Sequence, residues 1–154
     1  MWRKIRKILK WLLLLLLAVI ILGTIVNAIC RLLTKSKLQD AYGQAVSVDG
    51  KSMRVDVKGD ADNPVIILLS GFGSASPILE LEPLAAALSQ NYCVTTIEPF
   101  GYGLSDKTPQ DRTIENIVEE LHSCVETLGY EEYYLMGHSI GGLYSLYWAN
   151  QYPD

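Results

Sequence analysis

The longest uncharged stretch of the chain limits its fold more than any other feature. No charged residue occurs between Lys10 and Arg31, and residues 11–30 read WLLLLLLAVIILGTIVNAIC. As an α-helix, these 20 residues extend about 30 Å, which is the thickness of the hydrocarbon core of a bilayer. A helix that is apolar on every side lies in a membrane or inside a large protein. The stretch therefore predicts one transmembrane signal anchor.

The charges around this stretch predict its orientation. Cations collect on the cytoplasmic side of a membrane helix, and more of them precede this helix than follow it. We expect a single-pass membrane protein with a cytoplasmic N-terminus and an extracytoplasmic body. The alternative is a secreted protein, released by cleavage at the small residues Val26 and Ala28. The cations before the stretch are Arg3, Lys4, Arg6, Lys7 and Lys10, and those after it are Arg31, Lys35 and Lys37.

The charge of the chain changes sign after the predicted anchor. Residues 38–154 contain 5 Lys and Arg against all 17 Asp and Glu of the chain, a net charge of −12. An acidic body without a basic stripe argues against a nucleic acid as a partner. The composition divides the chain into a basic segment (1–10), the transmembrane anchor (11–30), a polar stalk (31–43) and a folded domain (44–154).

No pattern in the folded domain predicts a metal ion or a cofactor. The three cysteines, Cys30, Cys93 and Cys124, have neither the spacing of a metal site nor that of a disulfide framework. The glycine-rich stretches GFGSAS and GYGLSD lack the third glycine of a dinucleotide-binding loop. We therefore expect no cofactor and no metal.

The rest of the chain alternates between strand and helix patterns. Alternating residues on both sides of Asp49-Gly50 predict a β-hairpin, and the apolar run that follows predicts a strand buried on both faces. Strands that alternate with helices imply right-handed crossovers and a mainly parallel sheet, covered by helices on both faces. The predicted segments after the hairpin are strand 65–70, a helix from Pro83, strand 92–98, helix 113–129, strand 133–137 and a helix that ends near Pro153.

One motif in this pattern carries chemistry. Residues 137–141 read Gly-His-Ser-Ile-Gly, a G-x-S-x-G motif between a predicted strand and a predicted helix. In such a motif the serine occupies a sharp turn, and the glycines allow neighbouring backbone to approach it. The turn projects the serine hydroxyl above the sheet, and the following helix directs its first N–H groups toward developing negative charge. The motif predicts a nucleophilic serine.

From about Val46 onward the chain resembles the α/β-hydrolase family, of the AB hydrolase-1 type. The resemblance implies an α/β-hydrolase fold, an antiparallel hairpin followed by a mostly parallel sheet, truncated after the nucleophile elbow and preceded by one transmembrane helix. Ser70 and Glu98 stand where the family usually has histidine and aspartate, residues that shape loops there. The resemblance depends on LLSGFG after the third strand, EPFGYGLSD after the fourth and YYLMGHSIGG around the elbow.

The resemblance also implies the roles of particular residues. Ser139 would be the nucleophile, and Gly137 and Gly141 would be the elbow glycines. The backbone N–H groups of Phe72 and Ile140 would hold the oxyanion. A serine nucleophile, unlike an aspartate, argues against epoxide hydrolase or dehalogenase chemistry. It implies hydrolysis of a small-molecule ester or a related acyl compound.

The histidine and the acid of the family follow the serine in sequence, and no suitable pair precedes residue 154. We expect the ring of His138 to point away from the Ser139 hydroxyl as a packing residue, and His122 to lie on a helix surface. The sequence thus predicts the N-terminal half of a longer hydrolase, inactive by itself, with an unprotected sheet edge at 133–137. The alternatives are a non-catalytic hydrolase-like membrane protein and a peptidase of the proline-iminopeptidase type.

Overall fold

A computed structural model describes residues 2–38 and 41–153, which divide into the units Met1–Ala41 and Tyr42–Asp154. The first unit is a single helix, α1 (Trp2–Leu38). Its part Trp2–Leu33 is long and apolar enough to cross a membrane. Inside the apolar part the hydroxyl of Thr24 donates to the carbonyl of Ile20 at 2.8 Å, so this polar group is satisfied within the helix.

Helix α1 is longer than the predicted anchor. It also includes residues 2–10 of the basic segment and residues 31–38 of the predicted stalk. The change in composition at residue 30 therefore marks no change in the backbone. Residues 39 and 40 of the predicted stalk lie outside the described residues, as do the side chains of 34–38, which include Lys35 and Lys37.

The second unit contains a five-stranded sheet in the order β1-β2-β4-β3-β5. Strand β2 pairs antiparallel with β1 and β4, whereas β3 pairs parallel with both β4 and β5. The predicted antiparallel hairpin is thus confirmed, and the sheet is mixed, with β4, β3 and β5 parallel to one another. The strands are β1 (Gln44–Val48), β2 (Lys51–Lys58), β3 (Val65–Leu69), β4 (Cys93–Glu98) and β5 (Tyr133–Gly137).

Two features of this sheet follow directly from the sequence. At the hairpin turn, Asp49 and Gly50 have φ angles of 49° and 76°, which is the pair of positive values that a type I′ turn requires. At the other end of the strand order, β5 forms the predicted apolar edge. Its residues Tyr134 and Met136 are 64% and 37% exposed.

Helices cover both faces of the sheet, as predicted, because successive residues of a buried strand point to opposite sides. Ile67 and Leu69 pack with the side of the sheet that contains Val118 and Trp148, whereas Leu68 packs with Leu81, Ala85 and Val94 on the other. The first set lies under α3 (Ile114–Leu128) and α4 (Ile140–Gln151), and the second under α2 (Pro77–Leu88).

The predicted start of α2 is wrong. The sequence interpretation placed it at Pro83, but the helix begins at Pro77 and includes Pro83. Ser76 provides the start signal, since its hydroxyl accepts the N–H of Leu79 at 3.5 Å, and Pro77 occupies the first turn, where a missing N–H costs little. A proline inside a helix removes one hydrogen bond, and here the helix continues through it.

Candidate active site

The turn between β5 and α4 places Ser139 in a strained conformation. Its φ and ψ angles are 56° and −120°, a combination outside the regions that residues with a Cβ favour. Such a conformation costs on the order of 1–3 kcal/mol and persists only where the surrounding structure imposes it. The turn leaves Ser139 exposed to solvent. The predicted strand–serine–helix arrangement is present.

Both glycines of the motif are required by close backbone contacts. A Cβ added to Gly137 would overlap the backbone of Gly141, and one added to Gly141 would lie 2.6 Å from the carbonyl oxygen of Leu69. Neither neighbour is the end of a flexible side chain, so neither can move aside. The two glycines therefore allow the turn to close and let α4 start against the end of β3.

The turn after β3, residues 70–76, lies directly beside this elbow. We call it the β3–α2 turn. A Cβ added to Gly71 would lie 3.3 Å from the Cβ of Ser139 and 3.1 Å from Nδ1 of His138. The N–H of His138 donates to the carbonyl of Leu69 at 2.9 Å, which continues the β3–β5 pairing into both turns. The structure thus brings Gly71, the residue before Phe72, into contact with Ser139.

Three polar groups of the elbow and the β3–α2 turn make no hydrogen bond within the described residues. Ser139 stands at the N-cap of α4, but its hydroxyl makes no capping hydrogen bond. Within residues 2–38 and 41–153, the N–H groups of Phe72 and Ile140 have no hydrogen-bond acceptor. Unpaired N–H groups and the helix dipole make such a site favourable for negative charge. The side chain of Phe72 is 83% exposed.

The two histidines differ from each other in their surroundings. His138 is exposed and its ring lies over Gly71. The prediction that His122 is a surface residue is wrong. Its side chain is only 18% exposed and stacks on Tyr152, with ring centroids 3.7 Å apart. The end of α4 covers this side of α3, a contact that the pattern of α3 alone does not show. In the described part of the chain, neither imidazole hydrogen-bonds to Ser139.

The carboxylate of Glu98, which stands where the family usually has an aspartate, lies behind the β3–α2 turn. Glu98 is fully buried and accepts hydrogen bonds from Ser76 Oγ at 2.6 Å, from the N–H of Leu104 at 2.7 Å and from Tyr42 Oη at 3.2 Å. A buried carboxylate needs such donors. An acidic residue at the end of an apolar strand is the sequence feature that could have indicated this buried group. Tyr42 was assigned to the stalk, but it begins the second unit.

Two cavities in the described part of the second unit do not have Ser139 in their lining. A cavity of about 10 Å³ lies under the β3–α2 turn, between Ser70, Tyr102 and Tyr144, which is room for about one water molecule. A hollow of about 380 Å³ lies between Tyr133 and Trp148, at the opposite end of β5 from Ser139. Among the described residues, no group of three or more His, Cys, Asp or Glu could hold a metal ion.

Comparison with known proteins agrees with this geometry. The model of a protein family described as having the alpha/beta hydrolase fold matches residues 64–154, more than half of the chain. The chain belongs to the α/β-hydrolase family. The resemblance in the motifs is therefore confirmed, and the matched range includes the β3–α2 turn and the elbow.

Individual relatives of this α/β-hydrolase are matched only in part. Uncharacterized protein YbdG of Bacillus subtilis (strain 168) is 32% identical over 120 residues, which cover 77% of the chain and 37% of YbdG. "Putative carbamate hydrolase RutD" of Escherichia coli O26:H11 is 34% identical over 94 residues, 60% of the chain and 35% of RutD. The crystal structure of epoxide hydrolase VrEH1 from Vigna radiata has a TM-score of 0.64 at 26% identity, over 71% of the chain and 35% of VrEH1. The chain spans little more than a third of the length of each.

Proposed function

We propose that the protein is a membrane-anchored serine hydrolase in which Ser139 attacks the carbonyl carbon of a small acyl substrate. One observation carries the proposal: Ser139 is held in a strained, exposed conformation, and its hydroxyl is not used to cap the helix that it begins. A strained backbone at a residue whose side chain makes no stabilising hydrogen bond is typical of a functional residue.

The reaction follows from the groups at the junction. Ser139 Oγ forms a bond to the carbonyl carbon, and the carbonyl π electrons move to the oxygen. The N–H groups of Phe72 and Ile140 then donate to this oxyanion, and a donor of this kind contributes a factor of about 100–1,000 to the rate. The tetrahedral intermediate expels its leaving group to form an acyl-enzyme, which water hydrolyses.

The proton of the Ser139 hydroxyl needs an acceptor. Family order places a carboxylate and a histidine after the nucleophile, and the described residues hold no imidazole in hydrogen bond with Ser139. We therefore expect residues 1–154 by themselves to be inactive, and the histidine and acid of the whole protein to complete the site.

The identity of the nucleophile supports acyl substrates. RutD has a carbamate in its name, and a carbamate presents an acyl carbonyl as an ester does. VrEH1 is named an epoxide hydrolase, but a serine at position 139 favours attack on an ester or related acyl carbonyl. Helix α1 supports membrane anchoring, with the basic segment in the cytoplasm and the hydrolase domain on the other side. Cleavage of α1 as a signal peptide is the alternative.

A serine-directed fluorophosphonate probe tests the proposal on the full-length protein in its own membranes. We expect labelling that disappears in Ser139→Ala and persists in Ser145→Ala. Ser145 is a matched control because it lies on the same helix, where its hydroxyl donates to Gly141 at 2.9 Å. Absence of labelling in folded wild-type protein would instead support a non-catalytic hydrolase-like protein.

A second measurement tests the need for a further base. Residues 1–154, purified in detergent, should not turn over p-nitrophenyl acetate faster than the Ser139→Ala variant of the same polypeptide. Steady turnover that requires Ser139 would contradict this part of the proposal.

A further inference from the structure

We infer that Glu98 and Tyr42 are positioning residues, which hold the β3–α2 turn so that the N–H of Phe72 faces the reacting carbonyl. The inference rests on the proposed function, because Phe72 matters only if its N–H holds an oxyanion. Neither side chain touches substrate in this scheme. Both act through the turn.

Glu98 connects three separate parts of the second unit. Its donors are Ser76 at the end of the β3–α2 turn, Leu104 in the loop after β4, and Tyr42 at the start of the unit. Because the carboxylate is fully buried, water does not replace a donor that is lost. Hydrogen bonds to a buried charge are among the stronger ones in proteins, about 1.5–3 kcal/mol. The turn is therefore tied firmly at Ser76.

The residue before Ser76 is fixed by the same loop. The N–H of Gly103 donates to the carbonyl of Ala75 at 3.1 Å. A Cβ on Gly103 would overlap the carboxylate of Glu98. Only glycine at this position therefore lets the loop come close enough to form the hydrogen bond to Ala75. At its other end the turn contacts the elbow through Gly71. Phe72 thus lies between two fixed points, and Glu98 determines the second of them.

Tyr42 completes the set of contacts around the carboxylate. Its Oη lies 3.2 Å from Glu98 Oε1 and 3.0 Å from Ser76 Oγ. The pKa of Tyr42 is raised, mainly by burial. The hydrogen bond with Ser76 lowers this pKa, and the nearby Glu98 carboxylate raises it further. The hydroxyl therefore keeps its proton at neutral pH and remains a donor. At the next residue, the carbonyl of Gly43 accepts a hydrogen bond from Nη1 of Arg54 at 3.3 Å. This bond holds the backbone beside Tyr42 in place.

The consequence is a loss of rate rather than of substrate binding. A displacement of about 1 Å in a catalytic group can cost about 100-fold. In the full-length protein we expect Tyr42→Phe to lower the rate constant for fluorophosphonate labelling of Ser139 about 5-fold, and Glu98→Gln about 50-fold. With p-nitrophenyl acetate, kcat should fall in both variants while KM stays within about twofold.

Two matched controls separate positioning from general destabilisation. Tyr130→Phe removes a tyrosine hydroxyl that is paired with Thr95 at 3.0 Å, and Glu120→Gln removes a buried carboxylate that is paired with Arg112 at 2.7 Å. In the described part of the chain, no hydrogen bond joins either side chain to the β3–α2 turn. Both controls should lower the melting temperature and leave the labelling rate near that of wild type.

Hydrogen exchange gives a readout that does not depend on catalysis. In Tyr42→Phe and Glu98→Gln, the amides of residues 70–76 should exchange faster than in wild type, and in the two controls they should not. The inference is overturned if the amides of the turn exchange at wild-type rates, or if wild type is labelled and Tyr42→Phe is labelled equally fast. If wild type is not labelled at all, the proposed function fails, and faster exchange would still establish that these residues hold the turn. Should Glu98→Gln not fold, Tyr42→Phe decides alone.

Discussion

Ser76 and Ser139 both stand at the N-cap of a helix that follows a parallel strand of the sheet. Ser76 has an extended backbone, with φ and ψ of −150° and 98°, and its hydroxyl accepts the N–H of Leu79. Ser139 has φ and ψ of 56° and −120° and no capping bond. The same residue type therefore has opposite energetic roles. Ser76 stabilises its helix and contacts Glu98, whereas Ser139 costs backbone energy and keeps its hydroxyl uncommitted.

The difference suggests a reactive role for Ser139, because its hydroxyl stands at an N-cap but does not cap the helix. Thr113 at the N-cap of α3 behaves like Ser76, since it accepts the N–H of Asn116 at 3.3 Å. A serine at an N-cap normally contributes about 1 kcal/mol to stability. The comparison predicts that removing the hydroxyl of Ser139 abolishes the reaction at little cost in stability, whereas removing the hydroxyl of Ser76 or Thr113 lowers stability.

The largest expected loss of stability comes from adding a side chain to a glycine of the elbow. In the full-length protein, Gly137→Ala should lower the free energy of unfolding by about 3 kcal/mol, because its Cβ would overlap the backbone of Gly141. Chemical denaturation in detergent measures this loss. Gly142→Ala is the matched control, because its Cβ meets only the carbonyl of Gly137 at 3.7 Å. Equal stability of the two variants would show that the elbow is not closely packed.

Ser76→Ala should have the next largest effect, a loss of about 2 kcal/mol in the free energy of unfolding. The substitution removes both a helix cap and a hydrogen bond to buried Glu98. The same denaturation experiment measures it. Ser76→Thr, which keeps a hydroxyl, should recover most of the loss, and a loss as large as that of Ser76→Ala would argue against the hydroxyl as the cause.

Thr113→Ala should cost less, about 1 kcal/mol, since only the cap on α3 is lost. Its melting temperature should fall while fluorophosphonate labelling of Ser139 stays at the wild-type rate. A decrease in the labelling rate at temperatures where the variant is folded would break the separation between capping and reaction.

Ser139→Ala should have the smallest effect on stability, within about 0.5 kcal/mol of wild type, although it should abolish labelling. The reason is that no capping bond exists to be lost. A loss equal to that of Thr113→Ala would show that the hydroxyl caps α4 in solution and would remove the contrast with Ser76.

Local patterns predicted the parts of this molecule that depend on local physics. The Asp49-Gly50 turn, the buried strand β3 and the elbow follow from residues close in sequence, and all three are present. The G-x-S-x-G motif predicted an exposed hydroxyl at Ser139, but not that this hydroxyl makes no capping bond. Its φ angle is a property of the folded backbone.

The features that escaped prediction depend on contacts between distant residues. Tyr42 and Glu98 are 56 positions apart, and nothing near Tyr42 indicates that its hydroxyl reaches a buried carboxylate. His122 is covered by Tyr152, which belongs to the end of another helix. The start of α2 differs from the prediction for a local reason, because Ser76-Pro77 and Pro83 are both possible start signals and the helix uses the first.

The backbone angle at residue 139 also limits which nucleophiles selection can sample there. At a φ of 56°, a side chain branched at Cβ meets its own backbone, which makes such residues genuine outliers. A library with every amino acid at codon 139, sorted only for folded protein, should be enriched in glycine, asparagine and aspartate. It should be depleted in threonine, valine and isoleucine. A threonine would bring the same hydroxyl, yet sterics exclude it before any chemistry is tested.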